Sequence, residues 1–234
     1  MAKTVIVGDV HGCRDELCIL LDRVAFSSGD TLVFVGDLVA RGPDPLGVLD
    51  IARETGAVVV RGNHEHKLVT WFENGQAERD PHRLKLPRLH RDLARMLRPV
   101  DWTLLCTSPL YLDLDEHGTR VVHAGVDPLV SWAQQDEETL MRIRTVRADN
   151  GARILWGRAY LGPPHIVFGH NASPGLQLHA WASGIDTGCV YGGRLTAFVL
   201  GPKQRIPKLV SMRKELLVSV PARRVYYDFT RDVA

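Results

Sequence analysis

The sequence predicts an α/β fold organised around a largely parallel β-sheet. Within residues 4–66, three short apolar runs alternate with segments of helical periodicity, and each run ends in a turn that contains glycine and a polar side chain. Repeated strand–turn–helix units favour parallel pairing through right-handed crossovers. Because the carboxyl ends of parallel strands meet at one edge of a sheet, we expect the three polar turns to form one crevice.

The first units of this fold are predicted from local patterns. The strand candidates are short buried runs, and the helix candidates carry apolar residues at every third or fourth position. Pro43 and Pro45 open the second helix, which ends near Gly56. The predicted strands are residues 4–7, 31–35 and 57–60, and the predicted helices are residues 13–26 and 43–56.

Residues 74–100 differ in character and predict a helical insert or cap. From Arg79 to Arg98, the sequence contains seven lysines or arginines and two acidic residues. Leu86, Leu89, Leu93, Met96 and Leu97 supply one apolar helical face. The basic face is interpreted first as a solvated surface, with a phosphate-attracting rim as the functional alternative. His82, His90 and His117 are interpreted as solvent-exposed, and His66 as an outer support for the groups around His64.

The second half of the chain predicts further strands that also end in histidine turns. A β-hairpin is expected from its two apolar runs and the turn between them, and its second strand ends in His123. A buried run at 165–168 leads into His170, and a polar stretch at 134–147 predicts a helix. The strands of the hairpin are residues 111–114 and 120–122, and further strands are predicted at residues 184–189, 195–200 and 225–229.

Composition limits the class of protein. The 234 residues are 45% hydrophobic and 24% charged, which suits one globular domain over residues 1–234. A net charge of +2 argues against dedicated DNA or RNA binding. Four cysteines without a CxxC pair suit free thiols. The chain starts directly with a strand and has no apolar run long enough to span a bilayer, so we expect a cytoplasmic location and no membrane partner.

Five predicted strand ends carry ligand-type side chains beside glycine. Taken singly, a histidine at a strand end more often has a structural role than a metal-binding one. Taken singly, Asp37 could cap the following helix and Arg41 could be a solvated surface charge. Together, mixed carboxylate, amide and imidazole groups suit divalent first-row metals rather than calcium. Two such metals form a clamp for in-line attack on phosphorus. The groups are Asp9 with His11, Asp37, Asn63 with His64, His123, and His170.

In order and spacing, these motifs resemble the metallophosphoesterases of the phosphoprotein phosphatase superfamily. The matching segments are Gly8-Asp9-Val10-His11-Gly12, Gly36-Asp37 through Arg41-Gly42, Gly62-Asn63-His64-Glu65, His123-Ala124-Gly125 and Gly169-His170. The resemblance implies a sandwich of two mixed β-sheets flanked by helices, with two divalent metals, manganese first and cobalt, nickel, iron or zinc as alternatives. It also implies that a hydroxide bridging the metals attacks the phosphorus.

The resemblance further implies a role for each matching residue. Asp37 would bridge the two metals, Arg41 and Arg158 would bind phosphoryl oxygens, and His64 would assist the leaving group. The first metal would take Asp9, His11 and Asp37, and the second Asp37, Asn63, His123 and His170.

Ala40 decides the implied subfamily. Protein phosphatases have an aspartate at this position that orients the histidine corresponding to His64. The segment 36–43 instead resembles the symmetrical bis(5'-nucleosyl)-tetraphosphatases of the ApaH type, as do Asp186-Thr187-Gly188-Cys189 and residues 192–196. An alcohol leaving group has a pKa of roughly 15 if it resembles water, whereas a phosphate has a second pKa of about 6. An anhydride substrate therefore places a smaller demand on His64.

Symmetrical cleavage of diadenosine tetraphosphate to two ADP is the function that this resemblance implies. The alternative is a phosphoprotein phosphatase of broad specificity for Ser, Thr or Tyr. A non-catalytic binding module is disfavoured because every implied metal ligand is present. The segment between Arg158 and Gly169 is short, as in the compact ApaH-like phosphatases, which could widen the substrate range to other dinucleoside polyphosphates, nucleotide-capped RNA ends or phosphoproteins.

Overall fold

The computed structural model describes residues 2–74 and 86–228. Strands and helices alternate through the first part of the chain, as predicted. The strands are β1 Thr4–Val7, β2 Thr31–Phe34, β3 Val58–Val59, β4 Tyr111–Leu114, β5 Thr119–Val122, β6 Thr145–Arg147, β7 Arg153–Leu155, β8 His165–Phe168, β9 Gln177–Leu178, β10 Ala182–Gly184, β11 Arg194–Leu200 and β12 Leu217–Pro221. The helices are α1 Arg14–Arg23, α2 Pro45–Glu54, α3 Asn63–Glu73, α4 Arg88–Ala94, α5 Pro99–Thr107, α6 Glu137–Arg142, α7 Trp156–Ala159 and α8 Val210–Arg213.

The described strands form two five-stranded mixed sheets and one short ribbon. The first sheet has the order β12-β11-β1-β2-β3, and β1, β2 and β3 pair in parallel. The second has the order β4-β5-β8-β10-β9, in which β5, β8 and β10 are parallel. The registers align the carboxyl ends of β1 with β2 at Val7 and Phe34, and of β2 with β3 at Phe34 and Val59.

The two sheets pack face to face across an apolar layer. Ile6 and Val33 of the first sheet share this buried layer with Val121 and Val167 of the second. All four side chains are inaccessible to solvent, so the layer locks the relative position of the sheets. The carboxyl ends of parallel strands from both sheets thereby face one another. The predicted sandwich of two mixed sheets flanked by helices is confirmed.

Helices cover the outer faces of this sandwich. Leu17 of α1, Leu49 of α2 and Leu68 of α3 pack on the first sheet in a second apolar cluster. Trp156 of α7 packs with Phe168 of β8 on the second sheet. No helix in residues 2–74 and 86–228 is long and apolar enough to cross a membrane.

Some predicted elements differ from those observed. Within the predicted helix 134–147, only Glu137–Arg142 is α-helical; Gln134 ends a short 3-10 helix, and Thr145–Arg147 pairs as an antiparallel strand with β7. Residues 225–228 form no strand, since Tyr226 and Tyr227 both donate their backbone N–H to the single carbonyl of Val190. β11 pairs antiparallel with both β1 and β12, and of the predicted strand 184–189 only Gly184 belongs to a strand, as the last residue of β10. Residues 75–85 of the predicted insert lie outside the described residues.

Candidate active site

Asp37 lies at the centre of the convergent strand ends. It directly follows the turn after β2 and is 2% exposed. Its Oδ2 lies 3.6 Å from Nε2 of His11, 3.5 Å from Nε2 of His123 and 4.0 Å from Nε2 of His64. Its Oδ1 accepts a hydrogen bond of 3.0 Å from the backbone N–H of His64. One carboxylate therefore faces imidazoles from three different strand ends.

Two sets of ligand-type atoms share this carboxylate. One set consists of His11, Asp37 and His64, the other of Asp37, His123 and His170, and the ligand atoms within each set lie within 4.8 Å of one another. The arrangement fits the predicted bridging role of Asp37. It differs from the implied ligand assignment in that His64, rather than Asp9, completes the first set by distance.

Asp9 and Asn63 are also drawn into the site. Both carboxylate oxygens of Asp9 accept hydrogen bonds from the backbone N–H of His170, at 3.1 and 3.0 Å. Oδ1 of Asn63 lies 2.8 Å from Nδ1 of His170 and 3.1 Å from Nε2 of His123. The structure thus places all six implied metal ligands around one point, although they come from turns up to 161 residues apart.

The orientation of two imidazoles fits metal binding. Nδ1 of His11 donates to the carbonyl of Val39 at 3.0 Å, and Nδ1 of His123 donates to the carbonyl of Val35 at 2.9 Å. Because a carbonyl can only accept, the proton is on Nδ1, and the lone pair of each Nε2 faces Asp37. Protein carbonyls orient metal-binding histidines in this way. The donor set therefore fits two divalent cations.

The buried carboxylates of the site have raised pKa values and would be stabilised by a bound cation. Burial raises the pKa of Asp37 to about 6, that of Asp186 to about 6 and that of Glu65 to about 7, with the Asp37 carboxylate adding to the shift of Glu65. Burial and then Asp186 and Asp37 raise the pKa of Asp9 well above its ordinary value. Isolated buried anions are costly, and a bound divalent cation would stabilise their charged forms.

The histidines of the site are held neutral. Burial, followed by Arg41, lowers the pKa of His11 to about 3, and burial, followed by His123, lowers that of His170 to about 2. Burial also lowers the pKa of His123 and, together with His11 and Arg41, that of His64. Since metals bind neutral imidazole, these residues are in the form that a cation requires.

The backbone around the site is strained, and two glycines are required there. A Cβ at Gly169 would lie 1.9 Å from Oδ1 of Asp9, and one at Gly62 would lie 2.3 Å from Oδ1 of Asp37. Strain of this kind concentrates at functional sites, where the fold holds side chains in set positions. The non-glycine residues of the site with positive φ are His11 (46°), Asp37 (51°), Ala40 (66°), Arg41 (67°) and His170 (66°).

Glu65 braces the loop that carries Asp37, a role that sequence reasoning missed. Its Oε2 accepts from the backbone N–H groups of Asp37 at 2.8 Å and Gly62 at 3.0 Å. Its Oε1 accepts from the N–H groups of Leu38 at 2.9 Å and Val39 at 3.2 Å. The available signal was its place three residues after the helix N-cap Gly62, where an acidic residue bonds back to the cap.

The metal-ligand cluster opens into a cleft of about 1090 Å³. Arg41 lines it next to Asp37, and its Nη1 donates to Nε2 of His11 at 2.9 Å. Further along, Arg142, Arg144 and Arg153 line the same cleft. They come from α6, the turn after it and β7, and no spacing in the sequence brought them together. Several cations therefore face one cleft beside the metal-ligand cluster.

The structure places Arg158 away from this cleft. It lies on α7, is exposed, and is not among the described residues that line the cleft. It lies near His179, whose pKa is lowered by burial and then by the charge of Arg158. The described arginines of the predicted insert are also exposed and outside the cleft lining; they are Arg88, Arg91, Arg95 and Arg98.

Two histidines that were predicted to face solvent are buried. Nδ1 of His117 lies 2.7 Å from the carbonyl of Gln204 and its Nε2 3.0 Å from Oγ1 of Thr4, so it ties the hairpin to the first sheet. Nε2 of His90 lies 3.0 Å from Nδ1 of His64. His66, predicted to support the site, instead bonds along its own helix to Thr70 at 3.3 Å. His82 lies outside the described residues.

Residues 2–205 match the model of the family described as calcineurin-like phosphoesterase. The chain is 31% identical to the bis(5'-nucleosyl)-tetraphosphatase PrpE [asymmetrical] of Bacillus subtilis (strain 168), with 94% of this chain and 95% of the relative covered. It is also 31% identical to the protein of that name from Bacillus velezensis, with 97% and 98% covered.

Solved structures show the same similarity. One described as a candidate diadenosine tetraphosphatase is 33% identical, covers 94% of each chain and superposes with a TM-score of 0.77. A protein serine/threonine phosphatase from Saccharomyces cerevisiae shares the fold at 15% identity and a TM-score of 0.57, with 97% of this chain and 82% of that one covered.

Proposed function

This chain belongs to the calcineurin-like phosphoesterase family, and we propose that it hydrolyses dinucleoside tetraphosphates with the help of two divalent metal ions. The observation that carries this proposal is the position of the arginine-lined cleft directly beside the two ligand sets that share Asp37. The metals would be held by Asp9, His11, Asp37, Asn63, His123 and His170, with His64 adjacent. When bound, they would activate water and stabilise phosphoryl oxygens.

The cleft favours a long anionic substrate over a phosphate monoester. Arg41 lies at the metal-ligand cluster, and Arg142, Arg144 and Arg153 extend positive charge along the cleft. Guanidinium groups bind phosphate oxygens through paired hydrogen bonds, so a chain of phosphates gains more from this row than a single phosphate does. At about 1090 Å³, the cleft is also slightly larger than the usual range of 300–1,000 Å³ for ligand pockets.

Arg41 is the residue that we propose to bind the phosphoryl group under attack. Its guanidinium carbon lies 5.6 Å from the ring centres of both Tyr191 and Tyr227, so two aromatic faces restrict its position. His64 presents Nε2 to the same point and would donate to the departing oxygen. We propose no phosphate contact for Arg158, because it is not among the described residues that line the cleft.

We propose asymmetrical cleavage to AMP and ATP. The symmetrical cut implied by the ApaH resemblance is not supported by the relatives, whose names state asymmetrical cleavage. The cleft offers a physical argument in the same direction. Its three further arginines come from one segment, residues 142–153, so a departing triphosphate would be held on one side of the point of attack.

Product analysis tests this proposal. The protein with manganese, the metal we propose first, is given diadenosine tetraphosphate and, separately, a phosphopeptide set, and nucleotides are resolved by ion exchange. We expect AMP and ATP in equal amounts. ADP as the sole product would establish the symmetrical cut instead, and faster turnover of phosphopeptides would favour the broad-specificity phosphoprotein phosphatase. Nucleotide-capped RNA is a further substrate to test. One domain over residues 1–234 and a cytoplasmic location stay predictions.

A further inference from the structure

His90 reaches the active site from α4, in the predicted insert. It is 3% exposed, and its Nε2 lies 3.0 Å from Nδ1 of His64. The two rings are stacked, with an angle of 21° between their planes and their centres 4.9 Å apart. A separation of 3.0 Å between the two nitrogens is that of an ordinary hydrogen bond, in which one ring donates and the other accepts.

We propose that His90 is the positioning residue for His64 and takes the place of the carboxylate that Ala40 lacks. The inference rests on the role given to His64 in the proposed function. Nε2 of His64 lies 4.0 Å from Oδ2 of Asp37 and so faces the metal-ligand cluster. With Nδ1 bound to His90, the ring cannot turn without losing a buried hydrogen bond, which fixes the nitrogen that faces the departing oxygen.

The second nitrogen of His90 indicates the direction of this bond. Nδ1 of His90 is buried and has no hydrogen-bond partner among the described residues. Buried donors without partners are rarer than buried acceptors without partners. The proton of His90 is therefore best placed on Nε2, where it donates to Nδ1 of His64. The proton of His64 is then on Nε2, directed at the site.

An imidazole partner and a carboxylate partner give His64 different chemistry. A carboxylate only accepts, so it requires a proton on Nδ1 of the histidine that it orients. His90 donates, so His64 keeps its single proton on Nε2. As the oxygen of water bonds to phosphorus and the P–O bond to the leaving group breaks, the electron pair of the broken bond moves to the leaving oxygen. Nε2–H of His64 stabilises that oxygen by a hydrogen bond without transferring the proton. Such help suffices for a phosphate leaving group and is weak for an alkoxide.

The sequence carries a signal for His90 that the interpretation of the insert missed. His90 lies four residues after Leu86 and three before Leu93, so it belongs to the same helical face. Leu86 and Leu93 are 9% and 4% exposed, whereas Leu89 and Met96, assigned to the apolar face, are 42% and 52% exposed. A histidine within the buried stripe needs a partner, and His64 supplies it.

The test compares two variants of nearly equal volume in the full chain with manganese. His90→Met keeps the buried volume without a donor, and His90→Gln keeps an N–H donor. The substrates are phenyl phosphate, whose phenol has a pKa of about 10, and p-nitrophenyl phosphate, whose leaving group is more acidic. For His90→Met we expect kcat to fall about tenfold or more for phenyl phosphate, far less for p-nitrophenyl phosphate, with KM unchanged. His90→Gln should recover most of the loss.

Two further variants separate positioning from a structural role. His64→Ala with His90→Met should be no slower than His64→Ala alone, since His90 acts only through His64. His117→Met removes another buried, doubly hydrogen-bonded histidine and should affect both esters equally. Equal losses on both esters for His90→Met, a further loss in the His64→Ala background, or no recovery by folded His90→Gln would each overturn the proposal. Neither ester is a dinucleotide, so these measurements do not depend on the proposed dinucleotide substrate. If that substrate is wrong, only the product analysis shows it.

Discussion

Glu65→Gln tests whether one buried carboxylate organises the loop that carries Asp37. The Glu65 carboxylate accepts four backbone hydrogen bonds, two on each oxygen. In glutamine, one of these oxygens becomes an NH₂ group, and two buried N–H donors then face another donor. A hydrogen bond to a charged group contributes about 1.5–3 kcal/mol, so the gross loss is about 3–6 kcal/mol.

Part of this loss is offset because the substitution also removes a charge. Burial and the Asp37 carboxylate raise the pKa of Glu65 to about 7, so its ionised form is disfavoured in the metal-free protein. We therefore expect a net destabilisation of about 3 kcal/mol at neutral pH, within a total that is typically 5–15 kcal/mol. For a chain of this size, the melting temperature should fall by about 6–12 °C.

The raised pKa of Glu65 also predicts how the stability of the folded protein changes with pH. Its ordinary value is 4.5, and a raised value in the folded state means that Glu65 favours folding below about pH 4.5. This contribution is lost as the pH rises towards 7. In the metal-free protein, Glu65→Gln should therefore remove one component of the destabilisation that accompanies rising pH, and the melting temperature of the variant should depend less steeply on pH.

Thermal unfolding with and without manganese, together with turnover, measures these effects. We expect Glu65→Gln to lose most of the stabilisation that the metal provides, because the backbone N–H of Asp37 is one of its partners. The matched control is Asp101→Asn, which removes a fully buried carboxylate of α5 that pairs with the N-cap residue Arg98. It should lower stability and leave the metal effect intact. A Glu65→Gln protein with wild-type stability and metal response would refute the bracing role.

Two further predictions concern charge in the site. The pKa of Asp37 is raised to about 6 and that of Asp186 to about 6, so manganese binding near pH 6 should release protons, and the affinity for manganese should rise with pH up to about 7. Titration calorimetry in two buffers of different ionisation enthalpy measures the proton release. Binding of manganese without proton release would contradict this prediction. Arg144→Ala should raise KM for diadenosine tetraphosphate by about tenfold and leave p-nitrophenyl phosphate unaffected, because one charged hydrogen bond of about 1.4 kcal/mol is lost only with the longer substrate. Arg158→Ala is the control and should change neither substrate; a rise in KM with this variant would restore its predicted phosphate contact.

The strand ends of the site could be predicted from the sequence because two local constraints coincide there. β1, β2 and β8 are buried on both faces, so their apolar runs are continuous and their ends are sharply marked. Gly62 and Gly169 are required by the close approach of carboxylates, so glycine stands beside the ligands. The buried strands and the glycines that the site requires are therefore both visible in the sequence.

The cationic wall of the cleft could not be predicted in this way. Arg142, Arg144 and Arg153 meet because β6 pairs with β7, a contact between two three-residue strands in a polar stretch. Strands this short have little periodicity of their own, and their pairing is decided by the surface on which they pack. Arg158 was selected for its place in a motif-like tetrapeptide, yet helix α7 turns it to the solvent.

Ala40 and His90 together bear on the class of substrate more strongly than either does alone. An alanine in place of a carboxylate would leave His64 without a partner and would argue only for weak leaving-group assistance. The bond from His90 shows that the ring is positioned nonetheless, but by a partner that can donate to it. A donor partner keeps the proton of His64 on the nitrogen that faces the site, where it can stabilise a developing charge and has no second proton to give. That chemistry matches the cleavage of phosphoanhydrides, whose oxygens leave without protonation, and the row of arginines in the cleft matches the charge that such substrates carry.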